Sequence, residues 1–151
     1  MNTIDKVAVG FDGSSDSRAA LEWAASLAAH TRALLKVVHA VGLLEHAGLS
    51  GHVAPHLESV REIVLDAGLD PSTVEWIVID GDPCSALLRM SKDPYSVDLI
   101  VVGTRGSGEH SGSILGSTSL ELVEHSSIPV VIVPCHSLTR QEQDTSAQKT
   151  R

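Results

Sequence analysis

Leu99-Ile-Val-Val-Gly-Thr-Arg-Gly106 is an apolar run that breaks directly into a glycine-bracketed turn, and nine residues later the chain reads Gly116-Ser-Thr118. The apolar part, rich in β-branched side chains, suits a strand buried on both faces. Glycine allows a ligand close approach to the backbone. Amides at a helix start lack intrahelical acceptors and attract anions. The stretch therefore reads as strand, phosphate-binding turn and helix start, in that order. With phosphate held by main chain rather than by lysine, it points to a nucleotide site.

Working outward, apolar runs recur at Val7–Phe11, Leu34–Val41, Val74–Ile79, Leu99–Val102 and Val130–Val133. Their β-branched content and lack of strict polar alternation predict strands buried on both faces. Helical patterns lie between them. Ser17–His30 places Ala20, Ala24, Leu27 and Ala28 on one face, and the preceding Asp12-Gly-Ser-Ser-Asp16 turn offers several N-cap candidates. Leu57, Val60 and Val64 repeat at helical spacing before Gly68, a C-terminal stop. Asp82-Pro83 opens a third helix with proline at its first position. Thr118-x-x-Glu121 reads as a capping box for a fourth, which ends before Pro129. This alternation predicts an α/β fold with a parallel sheet; the expected form is three-layer, doubly wound and five-stranded, with the order taken as 3-2-1-4-5.

Composition narrows the function. At 151 residues, the chain reads as one domain over 1–136 with a disordered tail at 137–151, where Leu138 and Ala147 are the apolar residues. Aromatic residues make up only 3%, so the core must be aliphatic. The net charge of −8, with no basic stripe, argues against nucleic acid as the main partner. No apolar run approaches the length needed to cross a membrane, and the N-terminus lacks signal-peptide character. Two cysteines, Cys84 and Cys135, give no disulfide framework and fit a reducing cytoplasm. Cys84 follows Pro83 at a helix start, where the dipole favours a thiolate, although a small buried hydrophobe is its commoner role.

The segment Gly42–Pro55 is long and rich in glycine and histidine, and reads as a mobile surface loop. His46, His52 and His56 invite a metal, but Pro55 interrupts the helical spacing of the last two and no cysteine or carboxylate pattern completes a site. No metal site is assigned; these are exposed loop histidines. Asp66, Asp70 and Glu75 read as solvent-facing charges.

In a doubly wound sheet, ligands bind beyond the carboxyl ends of the strands where the strand order reverses. With that order, strands 1 and 4 flank the crevice, which brings Asp12 beside Gly103–Gly106. The backbones of Gly103 and Gly106 would approach a ribose–phosphate closely, and Arg105 would add a charge-assisted bond. Gly116 with the amides of Ser117 and Thr118 would receive the terminal phosphates. Asp12 would accept from sugar hydroxyls or help hold a divalent cation, and Val41 would contact a base through its main chain. Taken singly, each has a plainer role as a cap, a flexible turn or a surface charge; the combination favours a ligand.

Other nucleotide motifs fail. A Walker loop needs a Gly-Lys-Ser/Thr ending, yet no lysine lies between Lys92 and Lys149. The dinucleotide pattern breaks at Ser111, where a glycine is required, and no nucleophile elbow is present. No catalytic residue is assigned, because no nucleophile–base pair is visible.

The chain resembles a single-domain universal stress protein of the ATP-binding type. That family's pattern G-x2-G-x9-G-[S/T] is met by Gly103, Gly106, Gly116 and Ser117. Val7-Ala-Val-Gly-Phe-Asp-Gly-Ser14, with Ser17 and Ala20-Leu21, matches its opening, and Pro129-Val-Val-Ile-Val133 its closing strand. The resemblance implies an adenine-nucleotide alpha-hydrolase-like fold and a crevice for ATP or a related adenine nucleotide, with Mg²⁺ or Mn²⁺ on the phosphates. It also implies a regulatory role in stress response and a homodimer through the last strand, Val130–Val133. Thr118 stands where relatives often carry valine. Competing readings are a slow ATP-hydrolysing enzyme using the same crevice, and a dimeric interaction module whose crevice stays empty.

Overall fold

The computed structural model describes residues 3–41, 53–105 and 115–135. Strand β1 (Lys6–Gly10) leads into helix α1 (Ser15–Thr31), then β2 (Leu34–Val41) and α2 (Val53–Asp66). A short 3-10 turn at Pro71–Thr73 precedes β3 (Val74–Asp80), followed by α3 (Pro83–Arg89), β4 (Leu99–Gly103), α4 (Ser117–His125) and β5 (Val130–Val133). The strands form one parallel sheet in the order β3-β2-β1-β4-β5. This is the doubly wound order expected from the sequence.

Side chains alternate across each strand, which divides the core into two layers. Val7, Val9, Leu35, Val37, Leu99 and Val101 pack on one face with Ala20, Leu21, Ala24, Ala25 and Ala28 of α1 and Val60 and Val64 of α2. Ala8, Val38, Ile77, Ile79, Ile100 and Val102 pack on the other with Leu87 of α3 and Leu122 of α4. The alanine face of α1 is fully buried, so this helix lies close against the centre of the sheet. Scarcity of aromatics is the compositional counterpart of that approach.

Burial on both faces holds for the central strands; β4 is buried at every position. It does not hold at the edges. On β3, buried positions alternate with exposed ones and Val78 is 45% exposed, while every residue of β5 is only half-buried. An edge strand has one lateral neighbour and less cover from the helices.

Local chemistry explains most helix ends. Ser14 caps α1 by accepting the Ser17 N–H at 3.2 Å. Asp82 caps α3 by accepting the Ser85 N–H at 3.0 Å, with Pro83 at the first helical position. Two sequence expectations are corrected. Helix α2 begins at Val53 and takes Pro55 into its first turn, where a missing N–H leaves no bond unmade; the rest of the expected loop, with His46 and His52, lies outside the described residues. The Thr118 capping box does not form. Gly116 is the N-cap of α4, with no side-chain cap bond, because the chain has already turned there: its N–H donates to the Thr104 carbonyl at 2.6 Å and its carbonyl accepts from Leu120. Asp66, Asp70 and Glu75 are solvent-exposed as expected, and two of them also have partners. The Lys36 ammonium donates to the Glu75 carboxylate, and Asp70 caps the 3-10 turn by accepting the Ser72 N–H at 2.9 Å. That backbone bond holds the Asp70 carboxyl below its usual range. The expected tail at 137–151 also lies outside the described residues.

Candidate nucleotide site

A cleft opens where β1 and β4 leave the sheet side by side. At this point α1 departs toward one face and α4 toward the other, which leaves a crevice between the two strand ends. Of the residues singled out from sequence, Asp12, Gly103, Arg105, Gly116, Ser117 and Thr118 all line this cleft. Residues 91 positions apart in the chain, Asp12 and Gly103 among them, meet only because β1 and β4 are neighbours. Gly106 lies outside the described residues. Val41 does not line the cleft: its side chain is buried and its carbonyl accepts the Gly81 N–H at 3.1 Å.

Sequence reasoning did not single out the apolar half of the cleft. Phe11, Val38, Ala40, Pro83, Leu87 and Val102 form it. Val38 and Ala40 sit at alternate positions near the end of β2, and that spacing is the signal that identifies a second wall on one face of the sheet. The cleft thus pairs a greasy wall with a rim of glycine amides and hydroxyls, the composition of a small-molecule site.

The electrostatics favour an anion held by main chain. Arg105 is the only cation among the described residues lining the cleft. No side chain caps α4 among the described residues, so its start keeps the partial positive charge of a helix terminus. The contrast with α1 is instructive, since there the Ser14 hydroxyl already occupies a first-turn amide. On the acidic side, Asp12 accepts the Ser14 N–H through Oδ1 at 2.9 Å, which folds the turn and fixes the carboxylate at the mouth.

The backbone that carries the glycines is tightly held. Ser119, buried, donates its hydroxyl to the Gly103 carbonyl at 2.8 Å. A Cβ on Gly103 would lie 2.6 Å from the Asp16 carbonyl oxygen and 2.7 Å from its carbon. Glycine is required there by close approach of the first turn of α1.

Cys84 carries none of the chemistry that a helix-start thiol would offer. It is buried, and burial together with the neighbouring Glu121 carboxylate pushes its pKa up to about 11. Desolvation and a nearby anion outweigh the helix terminus. Among the described residues, no three His, Cys, Asp or Glu side chains gather in a way that would hold a metal ion, and no helix is long and apolar enough to cross a membrane.

A five-stranded parallel sheet with a glycine-rimmed cleft at its switch point, lined by no lysine among the described residues, defines a doubly wound α/β protein. The universal stress protein family profile matches residues 3–134, and the chain belongs to that family. The universal stress protein YxiE of Bacillus subtilis is 31% identical over 150 residues, covering 85% of this chain and 98% of that protein. Universal stress protein Rv2623 of Mycobacterium tuberculosis is 34% identical over 143 residues, covering 84% of this chain and 46% of the relative. The chain spans about half the length of the mycobacterial curated relatives it matches.

Among solved structures, a universal stress protein in complex with cAMP is 28% identical with a TM-score of 0.72, over 89% of this chain and 99% of the other. Protein Rv1636 of Mycobacterium tuberculosis is 29% identical with a TM-score of 0.60, over 88% and 97%. Hypothetical protein MJ0577 is 19% identical with a TM-score of 0.75, over 88% and 97%, a likeness of fold alone. The shared architecture is the adenine-nucleotide alpha-hydrolase-like fold.

Proposed function

We propose that this protein binds an adenine nucleotide in the β1/β4 cleft, ATP or a close relative, and that the bound state regulates a stress response in the cytoplasm. One observation carries the reading: Asp12, Gly103, Arg105, Gly116, Ser117 and Thr118 converge on one cleft that also has an apolar wall. The base would lie against Phe11, Val38 and Ala40, and the phosphates against the uncapped start of α4. The relative solved with cAMP supports an adenine nucleotide as the ligand class. Mg²⁺ or Mn²⁺ fits as a partner of the phosphates. Asp12 supplies a hard oxygen at the mouth, and the rest of the coordination would come from phosphate and water.

Heat-denaturing the purified protein and identifying released small molecules by mass spectrometry, followed by titration with ATP, ADP and cyclic AMP, tests this. Release of an adenine nucleotide, or saturable binding, is the expected result. No nucleotide released and no affinity for any of the three rejects it. Replacing Gly116 by leucine should weaken binding while leaving the circular dichroism spectrum unchanged. Any hydrolysis should be slow, because the described residues of the cleft offer no positioned base beyond the turn-bound Asp12.

The second element of the proposal is a homodimer through β5. This strand is an edge of the sheet, and its outer backbone groups suit pairing across a two-fold axis. Sedimentation at micromolar concentration should give twice the chain mass; a monomer removes this element.

A further inference from the structure

Beyond the residues that line the cleft, we infer that Asp16 is a positioning residue for the site: its carboxylate latches the end of β4 to the start of α1 and so sets the path of the glycine turn. The inference rests on the proposed nucleotide site. Gly103 to Arg105 are held from two directions. From α4, Ser119 donates to the Gly103 carbonyl and Gly116 donates to the Thr104 carbonyl, both contacts made by residues that follow the turn in the chain. From α1, a single oxygen, Asp16 Oδ2, accepts both the Thr104 hydroxyl at 2.7 Å and the Arg105 N–H at 2.9 Å.

These two bonds join residues 88 and 89 apart in sequence and are the side-chain bonds that bind this turn to α1. Bonds to a carboxylate are about twice as strong as neutral ones. Absence of a side chain on Gly103 brings the Asp16 backbone close enough for its carboxylate to reach past to Thr104 and Arg105. Arg105 lines the cleft, so a latch on its amide fixes where its guanidinium departs.

The charge of Asp16 can only oppose a phosphate nearby. Its contribution to binding is therefore geometric, and that makes the role separable. Asparagine retains a carbonyl oxygen with two lone pairs, able to accept from both donors, but loses the charge that favours the first turn of α1. Alanine loses both.

ATP titration of wild type, Asp16→Asn and Asp16→Ala by calorimetry provides the test. The latch predicts that Asp16→Ala weakens ATP by about tenfold or more, while Asp16→Asn stays within about twofold of wild type or binds tighter. If Asp16 served only the helix terminus, the two variants would weaken equally, and that result overturns the inference. Amide exchange at Arg105 gives a second readout that needs no nucleotide. Protection should be present in wild type and Asp16→Asn and lost in Asp16→Ala; protection retained in Asp16→Ala overturns the latch. Should wild-type protein bind no adenine nucleotide, the proposed function fails on that titration, and the Arg105 exchange still decides the latch by itself.

Discussion

Replacing Gly103 by alanine should destabilise the protein far more than the same change at Gly10, although both glycines sit on central strands beside one cleft. Gly103 is not held at positive φ, so the effect is steric. A Cβ there meets the Asp16 carbonyl oxygen at 2.6 Å, its carbon at 2.7 Å and its Cβ at 2.8 Å. Two of these are backbone atoms of a helix and cannot swing aside. Overpacking of this kind costs about 1–3 kcal/mol, against which the stiffer unfolded chain returns about 0.4–1 kcal/mol. The net loss is about 1–2 kcal/mol. At Gly10, the nearest atom is Leu87 Cδ1 at 3.1 Å, the end of a flexible side chain, and Val102 Cγ1 follows at 3.4 Å. There the two effects offset, leaving a change within about 0.5 kcal/mol. Urea unfolding of the two variants at constant m-value measures the difference directly. Equal midpoints would refute the argument that α1 presses on the end of β4. If it is right, Gly103→Ala should also weaken ATP, because the displaced helix start carries Asp16 with it.

Other outcomes follow from single contacts. Leu122→Ala, at a fully buried position between α4 and the sheet, should cost about 2–5 kcal/mol in a denaturant melt. Ser119→Ala should cost about 1–2 kcal/mol by leaving the Gly103 carbonyl without its hydroxyl donor, and should loosen nucleotide binding as well. Bonds from Ser85 hold the Asp82 carboxyl below its usual 3.8, so its share of stability is present above that value and lost as pH falls through it. The Asp82→Ala variant should therefore lose about 1 kcal/mol at neutral pH and show a shallower acid limb than wild type. Cys84 should resist iodoacetamide in native protein at pH 8 and react at once on unfolding. Its raised pKa also means stability declines from about pH 9 toward 11, where the unfolded thiol ionises and the folded one does not.

The parallel sheet and the location of the cleft were legible because both follow from period and punctuation. β-branched runs interrupted by helical repeats specify a parallel sheet, and glycines just past a strand mark where the cleft opens. Legibility failed where tertiary contact overrode a local rule. Thr118-x-x-Glu121 has capping-box chemistry, yet Gly116 had already been turned by its bond to Thr104, and Glu121 instead sits beside Cys84. Pro55 reads as a break, but a helix tolerates proline in its first turn. Asp16 reads as one of several N-cap candidates in its turn. Its bonds to Thr104 and Arg105 depend on β1 and β4 lying side by side, which no local window contains. The half-exposed edges, β3 and β5, were hidden for the same reason: their residues resemble those of the centre, and only position in the sheet separates them.

Trp76 gives the molecule an optical handle. Its indole lies 5.9 Å from the His39 ring at 19°, and its Nε1 is buried without a hydrogen-bond partner among the described residues. The other of the two tryptophans, Trp23, is 40% exposed on α1. Emission should thus resolve into a blue component from Trp76 and a red one from Trp23, with iodide quenching the red. Phe11, in edge contact with Trp76, also lines the cleft proposed for a nucleotide, so occupancy of the cleft should be readable in the blue band without any added dye.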